Sequence, residues 1–177
     1  MDKAVALEEN GIVNHDPDPF EAFFQQNYKK VYGILYRLTG HKMDAEDLTV
    51  ETFLKYLQER PPKLDHPEGW LFRVATRLGF NALRSAKRRT QYETKAALHF
   101  AGSNTDPAQE LERDQKRAKV HAVLRKMDQR NAEIILLYHT GCSYKEIAAA
   151  VDVSPTSIGT LLTRAQKQFE SLYLKER

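Results

Sequence analysis

Cysteine is nearly absent: Cys142 is the one thiol among 177 residues. No internal disulfide can brace such a chain, and the usage suits a reducing cytoplasm. No apolar run approaches the roughly 20 residues that span a bilayer, and the N-terminus lacks the charged-then-apolar pattern of a secretory signal. Membrane insertion is therefore not expected. His15, His41, His66, His99, His121 and His139 show no metal-ligand spacing, and the sequence holds no P-loop, nucleophile elbow or cysteine pair. These gaps speak against an enzyme and give no reason to expect a metal or cofactor. Net charge is small as well, +3, so an electrostatic signal must be local. The hydrophobic fraction of 41% still suffices for compact cores, and the length allows one domain or two small ones.

What the sequence does have is a concentrated basic patch. The stretch 70–89, WLFRVATRLGFNALRSAKRR, has helical periodicity on two faces. Trp70, Leu71, Val74, Ala75, Leu78 and Ala82 recur at three- and four-residue steps and require burial. Arg73, Arg77, Asn81, Arg84 and Arg88 recur on another face, and no acid interrupts the cations Arg73, Arg77, Arg84, Lys87, Arg88 and Arg89. A helix that is core on one side and cationic on the other suits a polyanion. Phe72 and Phe80 lie among the cations, where aromatic rings can stack on unpaired bases. Trp70 begins the apolar stripe and is assigned to the core ahead of stacking. A merely solvated face is the bland alternative; the single sign of charge and the interleaved aromatics weigh against it.

Around this helix the first half of the chain reads as follows. Residues 1–19 form a tail, with Asp2, Glu8, Glu9, Asp16 and Asp18 against Lys3 and a helix-breaking DPDP at its end. It is expected to be disordered. From Phe20 to about Thr39 a broad apolar stripe predicts a helix, stopped by Gly40. The segment 43–60 predicts another, with Asp44 as N-cap and Glu46 and Asp47 in the first turn, where the helix dipole favours anions. The acidity continues through Glu51 and Glu59, which the dipole does not explain; a basic protein partner does. The loop RPPKLDHPEG separates this helix from the basic one, and Pro67 can open the latter.

Periodicity fades from Thr90 and returns after GSNTDP, so 91–107 reads as a linker. In the second half, residues 111–127 give one helix or two, and Asp128 caps another that ends at Gly141. Ser143 and Glu146 then stand at the capping-box offset. Ile147, Ala148 and Val151 face inward, Asp152-Val153-Ser154 turns, Ser154 caps the next helix and Pro155 takes its first position. Ile158, Leu161, Leu162, Ala165, Phe169 and Leu172 are that helix's buried stripe; Thr156, Ser157, Thr160, Thr163, Arg164 and Lys167 stay outside. This is a helix-turn-helix pattern whose hydroxyls and cations can reach base edges and phosphates. The predicted fold class is all-α: two small helical domains joined by a flexible linker, the second containing the helix-turn-helix.

Four segments then carry a resemblance in register: FEAFFQQNYKKVYGILYRLTG, DAEDLTVETFLKYL, GWLFRVATRLGFNALRSAKRR and LLYHTGCSYKEIAAAVDVSPTSIGTLLTRA. Together the sequence resembles a bacterial extracytoplasmic-function (ECF) sigma factor of the sigma-70 family. The resemblance implies a region 2-like domain at 20–90, a linker at 91–107 and a region 4-like domain at 108–177. It implies a promoter-specificity subunit acting with core RNA polymerase in the cytoplasm. The minus-ten element, melted to single strands, would meet Arg73, Arg77, Asn81, Arg84, Lys87 and Arg88, with the loop 60–69 walling a base pocket. The duplex minus-thirty-five element would meet Thr156, Ser157, Thr160, Thr163, Arg164 and Lys167. Asp44, Asp47, Glu51 and Phe53 would dock on the polymerase clamp helices, the flap is a further contact, and an anti-sigma factor is a further candidate partner. The chain departs from the family where Val50 replaces a frequent Gln and where Gly159 and Leu161 replace frequent cations. The rival is a stand-alone helix-turn-helix regulator of duplex DNA, which leaves the acidic helix and the basic-aromatic helix unexplained.

Overall fold

The computed structural model describes residues 18–59, 66–93 and 107–176. Their regular structure is entirely helical: α1 (Pro19–Thr39), α2 (Lys42–Glu59), α3 (Pro67–Glu93), α4 (Pro107–Lys126), α5 (Gln129–His139), α6 (Tyr144–Val151), a 3-10 turn (Pro155–Ser157) and α7 (Ile158–Lys175). The expected all-α class is observed. The tail before residue 18, the loop 60–65 and residues 94–106 of the linker lie outside the described residues.

The helix ends follow local chemistry, with one exception in the first half. Asp18 caps α1 by accepting the Phe20 N–H at 3.2 Å, and Pro19 opens the helix. Gly40 ends it at φ +75°, its N–H donating to Tyr36 O. The left-handed conformation there is one that glycine adopts without strain. Asp44 is not the N-cap of α2: the helix begins at Lys42, and the Ala45 N–H already donates to His41 O. Asp44 instead stands in the first turn, where its charge still complements the dipole.

α1 packs against both α2 and α3. Val31, Ile34, Leu35 and Leu38 meet Ala45 and Phe53 of α2 and Leu71, Phe72, Ala75, Phe80 and Leu83 of α3 in the buried core. Phe72 and Phe80 are therefore not stacking platforms. They are 0% and 3% exposed, whereas Trp70, Val74, Leu78 and Ala82 are only half-buried. The buried face of α3 is thus rotated from the one the stripe suggested. Trp70 packs edge-on to Tyr56, which stacks on Phe23 at 4.7 Å between ring centroids. The crossing of α1 and α3 is close: a Cβ at Gly79 would lie 2.4 Å from Leu38 Cδ1. Buried hydroxyls are satisfied within their own helices, Thr49 donating to Ala45 O and Thr76 to Arg73 O.

The second half gathers α4, α5 and α6 around α7. Val123, Leu124, Ile134, Leu137, Ile147, Ile158, Leu162 and Ala165 are its buried centre, while Phe169 and Leu172 are half-buried at its edge. The halves meet along α3 and α6 and, less extensively, α1 and α5. At that seam Arg117 donates to Gly40 O at 3.1 Å, and His121 Nε2 donates to Arg37 O at 2.8 Å. These are the unsatisfied carbonyls of the α1 C-terminus.

His121 makes the seam sensitive to acid. Burial holds its pKa below the usual 6.5, and Arg125, Arg117 and His41 push the same way, against the bond to Arg37 O. The folded state thus prefers neutral imidazole. Stability is complete above about pH 6.5 and is lost as pH falls through the lowered folded value. We expect the unfolding temperature to drop between pH 7 and 5, and His121→Gln, which can still donate to Arg37 O, to flatten that drop. An identical pH profile for the variant contradicts the assignment.

Candidate nucleic-acid interface

Two surfaces of the fold offer donors and cations to a polyanion. The first is the solvent side of α3. Arg77, Asn81 and Arg84 are exposed at four- and three-residue steps, so they share one face opposite the buried Phe72 and Ala75. The helix continues through 87 and 88, but the side chains of Lys87 and Arg88 lie outside the described residues. Arg73 is drawn away from this row. Its Nε donates to Ala150 O at 2.7 Å and its Nη2 to Ala149 O at 2.8 Å, both at the C-terminal end of α6. Arg77 borders the cleft beside it, about 370 Å³ in volume, whose far wall includes Arg130, Glu133 and Asp152.

The second surface is the helix-turn-helix. Both arms of the capping box on α6 are formed: Ser143 Oγ accepts the Glu146 N–H at 3.3 Å, and the Ser143 N–H donates to Glu146 Oε2 at 2.7 Å. Asp152 turns the chain at φ +57°, and the N–H of Val153 returns to Ala148 O. Ser154 departs from expectation. Its hydroxyl bonds the Thr156 hydroxyl at 2.7 Å and caps no helix; residues Pro155–Ser157 form a 3-10 turn, and α7 starts only at Ile158. Thr156 and Ser157 are thus presented from the turn, not from the α-helix. Thr156, Thr160, Thr163, Arg164 and Lys167 are exposed and Ser157 half-buried. Leu161, half-buried against the core, is a packing residue on the inner side, so its apolar character removes no outward cation.

Glu146 carries further charge chemistry. Burial alone would raise its carboxyl, but the Lys30 ammonium at 2.6 Å and the Ser143 N–H and hydroxyl outweigh it and hold the pKa below 4.5.

On α2, Asp44, Asp47 and Glu51 are exposed, as a docking face requires, whereas Phe53 is 3% exposed and sits in the aromatic core against Phe24. Phe53 offers nothing to a partner in this arrangement. The apolar component of the face is instead Val50, Leu54 and Leu57, 54%, 49% and 41% exposed. Their four- and three-residue spacing is visible in the sequence, but so is the stripe through Ala45, Leu48 and Thr52. Periodicity alone does not say which of two apolar stripes is buried.

The family Sigma-70 region 2 matches residues 23–89, and Sigma-70, region 4 matches residues 117–169. The chain is 28% identical over 161 residues to the ECF RNA polymerase sigma factor SigE of Mycolicibacterium smegmatis, covering 88% of this chain and 62% of that protein. It is 29% identical over 167 residues to the RNA polymerase sigma factor YlaC of Bacillus subtilis, covering 90% of this chain and 95% of that protein. Among solved structures, CnrH in complex with the cytosolic domain of CnrY aligns with a TM-score of 0.54 at 21% identity, over 89% of each chain. The sigma factor RpoE in complex with the anti-sigma factor NepR from Bartonella quintana aligns at 0.50 and 19%, covering 89% of this chain and 98% of that one. Both structural likenesses concern the fold.

Gly159 offers a test of the second surface. A Cβ there would meet only Tyr144 Cε2, at 4.0 Å, so nothing in the protein requires glycine. Gly159→Ala should stabilise the chain by about 0.5–1 kcal/mol. If duplex DNA approaches this turn closely, the same variant should weaken duplex binding. Chemical denaturation and a gel shift read the two effects. Higher stability with unchanged binding would place the DNA elsewhere on α7.

Proposed function

Because the chain belongs to the ECF group of the sigma-70 family, we propose that it is a promoter-specificity subunit that binds core RNA polymerase and directs transcription initiation by recognising and melting promoter DNA. The observation that carries this reading is the presence, in one chain, of two separate DNA-suited surfaces and a third face that is acidic and apolar. A stand-alone regulator of duplex DNA needs only the helix-turn-helix. It gives no role to the α2 face, where exposed Val50, Leu54 and Leu57 accompany Asp44, Asp47 and Glu51.

In this reading α2 docks on the clamp helices, its carboxylates steering toward a basic partner and its apolar ridge contributing buried area. Arg77, Asn81 and Arg84, continued by Lys87 and Arg88, follow the backbone of the melted minus-ten strand. The proline-rich stretch before α3 is the proposed contact for a flipped base; its residues 60–65 lie outside the described residues. Thr156, Ser157, Thr160, Thr163, Arg164 and Lys167 address the duplex minus-thirty-five element, and the second half meets the polymerase flap. The protein contributes recognition and no catalytic group of its own, and it works in the cytoplasm where polymerase is. RpoE, with a similar fold, binds an anti-sigma factor; such a factor is a further proposed partner. No described helix is long and apolar enough to cross a membrane.

Co-purification with core polymerase is the primary test, since a stand-alone regulator does not bring polymerase down. Asp47→Lys with Glu51→Lys should weaken core binding by about tenfold or more, equivalent to about 1.4 kcal/mol, and Leu54→Ser should weaken it with no change of charge. Native circular dichroism with unchanged polymerase affinity in both variants rules out α2 as the docking face.

Arg77→Ala with Arg84→Ala should impair strand opening more than recruitment. Permanganate reactivity of unpaired thymines should fall while the closed complex persists in a gel shift. Thr160→Ala or Arg164→Ala should instead weaken the upstream footprint. Normal opening by the Arg77 and Arg84 double variant would leave the α3 row as a solvated face only.

A further inference from the structure

An apolar cavity of about 430 Å³ lies where the end of α1 meets α4, α5 and α7. Val120 and Leu124, one turn apart on α4, line it with Ile135 and Leu136 of α5 and Phe169 of α7. Leu124, Ile135 and Leu136 are at most 6% exposed, so these walls belong to the packed core of the second half. Tyr36 of α1 adds an aromatic wall, and the Arg117 guanidinium carbon lies 5.8 Å from its ring centroid. Protein interiors leave few voids larger than a water, and atoms that line a void forfeit dispersion contacts. This cavity serves neither proposed DNA surface nor the α2 face, and nothing described so far gives it a use.

The charge around the cavity has one sign. Arg37, Lys116 and Arg117 stand on its lining, and no carboxylate does. Glu112 and Asp114 pair with Lys116 and Arg117 at 2.7 and 3.6 Å, but both acids are exposed, and such pairs exchange readily. Backbone oxygens steady the two guanidinium groups: Arg37 donates to His139 O at 3.0 Å and Arg117 to Gly40 O at 3.1 Å. Each bond engages one arm of a donor fork that also fits a carboxylate. Arg37 and Lys116 are exposed and Arg117 half-buried, which makes a cationic rim above an apolar floor.

We propose that this cavity binds a medium-chain aliphatic carboxylate as a free monomer, its chain among Val120, Leu124, Ile135, Leu136 and Phe169 and its carboxylate at the rim of Arg37, Lys116 and Arg117. Size favours such a ligand over a partner helix. One helical turn about 10 Å across already occupies about 420 Å³, so the cavity could seat only a single turn. At about 30 Å³ per water-sized group it takes a chain of roughly eight to twelve carbons. Sites of this kind are mostly apolar, with a few polar groups that fix orientation.

The test uses the full chain and sodium decanoate below its micelle concentration. Titration calorimetry should show one decanoate per chain, with a dissociation constant on the order of 10 µM. The heat-capacity change should be negative, the mark of apolar burial. Affinity should rise about tenfold from octanoate to decanoate and again to dodecanoate, since each buried methylene is worth about three- to fourfold. Decanol, which keeps the chain and lacks the charge, should bind about tenfold more weakly. Val120→Phe adds bulk at a half-buried lining position and should weaken both decanoate and decanol by about tenfold or more. Arg37→Gln with Lys116→Gln should weaken decanoate by about tenfold and leave decanol unchanged; a glutamine amide can still donate to His139 O. Circular dichroism checks the fold of each variant, and the chain-length series needs no variant at all. Absence of saturable binding at about 1 mM decanoate overturns the site, as does an affinity that does not change with chain length. Equal affinity for decanol and decanoate overturns the carboxylate assignment. Binding to phosphatidylglycerol vesicles without binding of monomeric decanoate overturns the free-ligand site in favour of a lipid surface. These readouts are independent of polymerase co-purification, so failure of the promoter reading and failure of this site are separate results.

Discussion

The rotational setting of α3 is the constraint on which the rest of the molecule depends. One helix has to satisfy three environments at once. Leu71, Phe72, Ala75, Phe80 and Leu83 are buried in the first half, Gly69 and Arg73 meet α6, and Arg77, Asn81 and Arg84 face solvent. Full burial of a Phe or Leu side chain contributes about 1.5–3 kcal/mol, so four such positions, with Ala75 between them, leave α3 no freedom to roll. The cations are positioned by that apolar face. A roll of one residue, about 100°, would take Arg77 out of solvent and carry a large side chain to the crossing where only Gly79 fits against Leu38. Core packing and the aim of the basic row are therefore one physical fact seen from two sides.

Most of the helix order was legible because it rests on interactions local in sequence. Gly40, Asp128, Ser143 with Glu146, and Asp152 act within four residues of themselves, and each does in the structure what its neighbours suggest. Ser154 misled because a hydroxyl two residues on, Thr156, competes for it, and Asp44 misled because two residues before it are already helical. The larger errors lie in three dimensions. Phe72, Phe80 and Phe53 could each have been assigned to either of two stripes, since a helix with apolar residues on more than one side has no unique inner face until its neighbours are known. Arg73 shows the same limit for charge. Its periodicity with Arg77 and Arg84 is genuine, but its partners are carbonyls 76 and 77 residues away, and nothing in the spacing distinguishes a phosphate from the end of another helix.

That ambiguity reflects the chemistry of the seam. Each half caps helix ends belonging to the other: Arg117 and His121 serve the carbonyls of α1, Arg37 donates to His139 O at the end of α5, and Arg73 serves α6. A helix C-terminus presents roughly half a negative charge spread over several oxygens, and a cation there is worth about 0.3–1 kcal/mol when exposed and up to about 2 kcal/mol when partly buried. A phosphate presents a full charge to the same guanidinium geometry and bonds it more strongly. Residues selected to bind one are suited to the other, with the phosphate the better partner.

The consequence is a seam whose strength is bounded. Its named contacts are hydrogen bonds between charged side chains and backbone oxygens, one ion pair, and a crossing built from Gly69, Ala149 and Ala150, which have little side chain to bury. Such contacts resemble those between domains that move relative to one another more than those of a permanent core. Net contributions of about 1.5–3 kcal/mol for a charged hydrogen bond hold the halves together without making the contact irreversible. Full-length burial of leucines across the same surface would have fixed the halves together regardless of ligand.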